Sequence, residues 1–352
     1  MSWDIFCNVI DNYGDIGVSW RLARQLANEH GQHVRLWVDD LQSFLRINPE
    51  AEIVQVQHSK GVEVRQWISP FPDVSPHDVV IESFGCQLPE NFVERMKEKK
   101  PVWINLEYLS AEEWVKDCHL MPSPRPPLTK YFFFPGFVGE TGGLMLERDL
   151  FKERDAFDRS AFWAKRDIDP EESLKISLFC YENKALQSLF SAWENGNERI
   201  LCLLPEGKIA SRVGSFSKKN LEVRVIPFVS QEEYDHLLWA CDINFVRGED
   251  SFVRGQWALK PFVWQIYPQE EEAHVKKLEA FLSLYCSGLD GSAQDAVRGM
   301  FGAWNGKGNV RRCWDAFLDA RHVIEMHDRN WANEISRYNL ARNLVDFSQR
   351  AG

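Results

Sequence analysis

Polar and apolar positions alternate along this chain with two different periods. In the first part, strand-like apolar runs occupy Asp4–Ile10, Val34–Asp39 (VRLWVD), Asp78–Ser83 (DVVIES) and Val102–Leu106 (VWINL). Between them, Val18–His30, Leu41–Arg46 and Glu90–Lys100 read as helices, the last one clearly amphipathic. Strands that are apolar on both faces and joined by helical crossovers predict a parallel sheet covered on both sides. The pattern breaks in the middle, where Pro122–Pro127 and Pro135–Gly143 read as loops around Tyr131–Phe134, a buried strand or an interdomain face. It then resumes. Lys175–Cys180, Ile200–Leu204, Val223–Phe228, Ile243–Val246 and Pro261–Ile266 read as strands, and Lys184–Trp193, Glu232–Cys241, Phe252–Leu259 and Glu270–Tyr285 as helices. From about Ala293 the tail reads as helical throughout, and its last helix, Trp331–Ser348, is expected to cross back onto the first domain.

The fold class expected from this pattern is α/β, with two Rossmann-like domains in tandem. Residues 1–170 form the first and 171–330 the second, with 331–352 returning to the first. Ligands in such folds bind at the carboxyl ends of the strands. Two such domains facing each other would place the site in the cleft between them. Functional segments are therefore sought just after strands, one in each half.

Composition narrows the function. Acids outnumber bases 52 to 41, for a net charge of −11, which argues against a general nucleic-acid binder because that requires a basic footprint. The 14 Trp and 23 Phe are read mainly as core and interdomain packing. Eight cysteines form no CxxC pair and several sit in apolar runs, so they are expected as buried thiols of a reducing compartment. MSWDIFCNVI enters a strand almost at once, without the features of a signal peptide, and no apolar run is long enough to span a membrane. The cytoplasm is the expected location. Histidines form no HxxxH pair, and neither GxSxG nor a Walker motif occurs.

Four segments carry candidate chemistry. The first is Asp11-Asn12-Tyr13-Gly14-Asp15-Ile16-Gly17, where a phosphate-cradling turn would favour glycines and bare amides. Asn12 stands where a GxGxxG motif needs its first glycine, which argues against a dinucleotide site. A helix cap would account for Asp15 alone, but less easily for both aspartates. Two carboxylates above a sheet edge would attract a cation and could accept a proton. The second is Arg247-Gly248-Glu249-Asp250-Ser251, between a strand and a helix. This is either an ordinary acidic helix start or a diphosphate site built from helix amides, with the acidic side chains turned away and Arg247 offsetting charge. The third contains Phe228 and Gln231, which could stack on a nucleobase and read a pyrimidine edge, or be a core ring and an exposed amide. The fourth is Phe179–Asn183, where Tyr181 could reach the cleft with its hydroxyl or be a core ring at a strand end.

Together, VIDNYGDIGVSWRLARQLA, SLFCYEN, the long run from IPFVSQEEYDH to VWQIYPQ and the Trp/Arg-rich tail resemble the bacterial protein-arginine rhamnosyltransferases of elongation factor P, the EarP family. The resemblance covers nearly the whole chain. It implies a GT-B fold, a dTDP-β-L-rhamnose donor on the C-terminal domain and an arginine of elongation factor P (EF-P) on the N-terminal one. It also implies inversion at the anomeric carbon without a metal or other cofactor. By motif position, Asp11, Asp15 and Glu249 correspond to the family's essential acids, and Asp11 and Asp15 would hold the acceptor arginine. Phe228 and Gln231 fall where the family binds thymine. Tyr181, Arg247, Asp250 and Ser251 fall on the rest of the nucleotide. Two other readings of the fold stay open at this point: a non-hydrolysing sugar-nucleotide epimerase and a non-catalytic nucleotide-sugar-binding protein.

Overall fold

The computed structural model describes residues 1–10, 13–169, 172–268 and 273–352. The chain divides into two units, Met1–Arg148 with Ile335–Gly352, and Asp149–Glu334.

In the first unit, branched and aromatic runs form strands and the amphipathic stretches between them form helices. In chain order these are β1 (Ser2–Cys7), α1 (Gly14–His30), β2 (His33–Val38), α2 (Leu41–Ile47), β3 (Val56–Ser59), β4 (Val62–Gln66), β5 (Val79–Ser83), α3 (Glu90–Lys99), β6 (Val102–Leu106), α4 (Trp114–Cys118), β7 (Pro122–Arg125) and β8 (Leu128–Phe133). The sheet order is β3-β4-β2-β1-β5-β6-β8-β7. Its six central strands run parallel, and β3 and β7 add antiparallel edges. Counting only the parallel strands, this is the Rossmann order 3-2-1-4-5-6, whose order reverses between β1 and β5. One face of the sheet is sealed by Phe6, Trp37, Phe71, Phe92, Met96 and Trp103. Inside the sheet, the buried Asp4 carboxylate accepts from Arg35 Nε (2.6 Å) and Nη2 (2.9 Å), from Trp37 Nε1 (3.0 Å) and from the His77 backbone N–H (2.9 Å).

The second unit contains α5 (Leu150–Asp155), α6 (Arg159–Ala164), β9 (Leu174–Leu178), α7 (Leu186–Asn195), β10 (Ile200–Pro205), α8 (Lys208–Val213), β11 (Phe216–Lys218), β12 (Leu221–Ile226), α9 (Gln231–Ala240), β13 (Ile243–Arg247), α10 (Asp250–Trp257), β14 (Phe262–Gln265), α11 (Ala273–Tyr285), α12 (Gly291–Trp304), α13 (Val310–Asp319) and α14 (Arg321–Ile335). The order β11-β12-β10-β9-β13-β14 again contains parallel strands in the sequence 3-2-1-4-5, with its reversal between β9 and β13. Ring stacking is dense here: Phe252 lies flat on Trp264 at 3.8 Å and 6°. On the helical tail, the buried Asp328 carboxylate accepts from Tyr285 Oη at 2.6 Å. A final helix, α15 (Leu340–Ala351), returns to the first unit. It packs along α1, and its Phe347 ring meets Tyr131 and Phe133. Asn339 pairs with Leu144 as an isolated bridge, and its side chain donates to Leu146 O at 2.6 Å.

Several expectations are corrected. Pro122–Pro127 is not a loop: Pro122–Arg125 pairs antiparallel with β8, and its prolines are tolerated because β7 is an edge strand. The segment 149–169 belongs to the second unit, because Phe162, Trp163 and Ile168 enter the core formed with Leu201, Leu203 and Leu237. Trp331–Ser348 is two helices, interrupted before Asn339, whose side chain accepts from Arg342 N and starts α15. Of the helix expected over Glu270–Tyr285, residues 270–272 lie outside the described residues. All eight cysteines are free thiols, but Cys86, Cys118 and Cys313 are only partly buried.

Candidate active site

At the first unit's reversal point, α1 begins at Gly14, four residues earlier than its apolar pattern suggests. Asp15 therefore sits inside the first turn, not ahead of it, and Tyr13 is the residue at the cap position, without a side-chain cap bond. The Asp15 carboxylate is 2% exposed. It accepts from the Ile10 backbone N–H at 2.8 Å and from Tyr108 Oη at 3.3 Å. Tyr108 follows β6, and its ring stacks on Phe84, just after β5, at 4.5 Å and 17°. Phe84 holds a left-handed backbone, φ 56°, a conformation that costs an aromatic residue about 1–2 kcal/mol and persists only where its surroundings enforce it. Three strand ends thus converge on one carboxylate. Beneath it, burial pushes the Cys7 thiol up, with the Asp15 charge a smaller contribution in the same direction, so the thiol is neutral. Asp11, the other aspartate of the motif, lies outside the described residues.

At the second unit's reversal point, β13 ends at Arg247 and Gly248 turns the chain at φ 60° into α10. The Arg247 guanidinium lies over the Phe179 ring (4.1 Å) and the Tyr181 ring (4.5 Å), both just beyond β9, and donates to Cys180 O at 3.1 Å. Burial pushes the Cys180 thiol up to about 12, with Arg247 pulling the other way, so the thiol is neutral too. Ser251 Oγ accepts from Arg247 N at 3.0 Å and also bonds Arg247 O, which ties the first turn of α10 to the strand end. Glu249 occupies the cap position of α10 without a side-chain cap bond. Gln231 opens α9, is buried, and donates from Nε2 to Asp250 Oδ2 at 3.1 Å. Phe228, half-buried, lies in the segment between β12 and α9, whose start is fixed by a reciprocal Ser230–Glu233 capping box.

The structure therefore brings Tyr181, Arg247 and Ser251 together, and Gln231 with Asp250, all at the carboxyl edge of one sheet. Sequence reading missed two residues of these edges. One is Tyr108, which donates to Asp15. The other is Gln265, which ends β14 and whose Oε1 accepts from Tyr181 N at 2.9 Å. Both stand at strand ends, and that position was the available signal.

Two Rossmann-like units in tandem are the architecture of the GT-B class, in which glycosyltransferases are built. A solved structure of the calicheamicin glycosyltransferase CalG4 shares the fold at a TM-score of 0.51 and 13% identity, covering 99% of this chain and 97% of that one. The structure solved for EarP-mediated arginine glycosylation of translation elongation factor EF-P aligns at a TM-score of 0.71 and 35% identity, covering 100% and 99%. A protein-arginine rhamnosyltransferase of Pseudomonas aeruginosa is 47% identical, covering 98% of both chains. The family model described as Elongation-Factor P (EF-P) rhamnosyltransferase EarP matches residues 3–349, and this chain belongs to that family.

Proposed function

We propose that this protein transfers L-rhamnose from dTDP-β-L-rhamnose to one arginine side chain of EF-P, in the cytoplasm, with inversion at the anomeric carbon and without a metal ion. The observation that carries the reading is the buried Asp15 carboxylate, held at the strand end where a phosphate-binding turn would present only amides. A guanidinium, with five donors in a planar fork, is a suitable ligand for an acidic turn. The second unit carries the features suited to an anion: the α10 N-terminus and Arg247 at the end of β13.

In this reading Phe228 stacks on the thymine and Gln231 reads its edge. Tyr181, Arg247, Asp250 and Ser251 hold the rest of the nucleotide, and the first amides of α10 face the diphosphate. An arginine arrives protonated, and carboxylates beside it raise its pKa, so they do not act by lowering it. Their contribution is orientation, together with removal of the proton as the bond forms. A guanidinium nitrogen attacks the anomeric carbon, the bond from that carbon to the diphosphate oxygen breaks, and dTDP leaves with the electron pair. The proton lost from nitrogen passes to Asp11, Asp15 holds the guanidinium against rotation, and Glu249 steadies the sugar or the charge developing on it. Helix amides stabilise the departing diphosphate. Positioning supplies much of the acceleration.

The test is the intact mass of purified EF-P after incubation with this protein and dTDP-rhamnose in the presence of a chelator. A gain of one deoxyhexose on an arginine, absent with Asp11→Asn, is the expected result. Consumption of donor without modified EF-P would favour an epimerase, and donor binding without turnover a sensor. A gain of mass that disappears with chelator would overturn the metal-free mechanism.

A further inference from the structure

Two side-chain pairs, one helical turn apart, join α9 to α10. The first is Gln231 with Asp250 at the helix starts. The second is Asp235 with Arg254, whose Nε and Nη2 donate to Oδ1 and Oδ2 at 2.9 and 2.7 Å. Asp235 lies four residues beyond Gln231, and Arg254 four beyond Asp250, so the two pairs stack along the same helix faces. The deeper pair is sealed, at 5% and 2% exposure.

A buried ion pair is a poor choice if stability alone is at issue, since apolar side chains of similar volume serve as well or better. Its distinguishing property is geometric. A two-pronged guanidinium–carboxylate bond tolerates little sliding or rotation. A slip of one residue along a helix moves a side chain by about 1.5 Å and turns it by about 100°. Either would break the 3.1 Å bond between Gln231 and Asp250 one turn above. The same slip would displace the Ser230–Glu233 start of α9, two residues after Phe228, relative to the first amides of α10, which Ser251 ties to the end of β13.

We infer that Asp235 and Arg254 are positioning residues that set the register of α9 against α10 and thereby the span between base-binding and diphosphate-binding groups of a nucleoside diphosphate. The inference rests on the donor assignment above. The pair is buried and acts through Gln231 and Asp250.

The experiment compares three proteins: the parent, the apolar double variant Asp235→Leu/Arg254→Met, and Arg254→Lys, which keeps the charge and loses the fork. Each is titrated calorimetrically with dTDP and with dTDP-rhamnose, melted, and assayed for EF-P modification at saturating donor. The double variant is expected to melt near the parent, to bind both nucleotides about tenfold or more weakly, and to keep its KM for EF-P. Arg254→Lys is expected to lose several-fold in nucleotide affinity. Parental nucleotide affinity in a folded double variant would reduce the pair to a structural role and overturn the inference. Should the double variant fail to fold, parental affinity in Arg254→Lys does the same. A parent that binds neither dTDP nor its sugar would instead remove the donor assignment, and the inference with it.

Discussion

Tyr108→Phe removes one hydroxyl and leaves the ring. In the parent that hydroxyl donates to Asp15 Oδ1 at 3.3 Å, while the Ile10 amide holds Oδ2 at 2.8 Å. A hydrogen bond to a charged group contributes about 1.5–3 kcal/mol, and 3.3 Å is long for an O–H donor, so about 1–1.5 kcal/mol is the expected share. If that bond fixes the carboxylate for the acceptor, kcat/KM for EF-P should fall roughly five- to tenfold, since 1.4 kcal/mol is a factor of ten. The stack on Phe84 survives the change, so the melting temperature should move by no more than about 2 °C. Nucleotide affinity should not change, because the groups assigned to the donor lie in the other unit. The assay is the initial rate of mass gain on EF-P at saturating dTDP-rhamnose, with Asp15→Asn alongside. A parental rate in Tyr108→Phe, with Asp15→Asn inactive, would show that Asp15 needs no help from Tyr108 and would refute the reasoning.

Arg247→Lys keeps the charge but loses the planar stack over Phe179 and Tyr181, and affinity for dTDP-rhamnose should drop about five- to thirtyfold by titration while the KM for EF-P holds. Arg35→Met leaves the buried Asp4 carboxylate without its ion pair, and thermal melting should report a loss of about 3–5 kcal/mol, on the order of 10 °C. Burial raises Asp328 well above the ordinary carboxyl range in the folded protein, outweighing the bond from Tyr285. Its contribution is therefore most favourable below the unfolded value near 4 and is lost, at about 1.4 kcal/mol per pH unit, as pH rises toward the folded value. Asp328→Asn should gain on the parent as pH rises above the unfolded value in melting experiments; a pH-independent difference would contradict this.

The parallel strands were legible because strands buried on both faces are continuous apolar runs, as in Ile243–Val246 and Ile200–Leu204. The hairpin β3–β4 was legible only by another signal: Val62-Glu63-Val64-Arg65 alternates with the period of a half-buried strand after the Lys60-Gly61 turn, and a reading of continuous apolar runs alone passes over it. Two glycines concealed the first turn of α1, since Gly14 and Gly17 weaken a helix pattern that tertiary contacts then enforce. Strand ends did identify Arg247, Gln231 and Tyr181 as groups at one edge. Applied to β6 and β14, the same rule would have reached Tyr108 and Gln265. The Asp235–Arg254 pair had no such signal, because its two partners are brought together only by the packing of two helices.

The return of α15 to the first unit affects the order in which the protein is made. The second unit is one continuous stretch, Asp149–Glu334, and can complete its core as soon as that stretch has left the ribosome. The first unit draws on both Met1–Arg148 and Ile335–Gly352, so the face of α1 that α15 covers, and the Tyr131 and Phe133 rings that await Phe347, stay open throughout synthesis of the other unit. The part of the enzyme translated first is thus the last to be finished, and the nascent chain must carry an unsealed apolar surface for nearly two hundred residues of elongation.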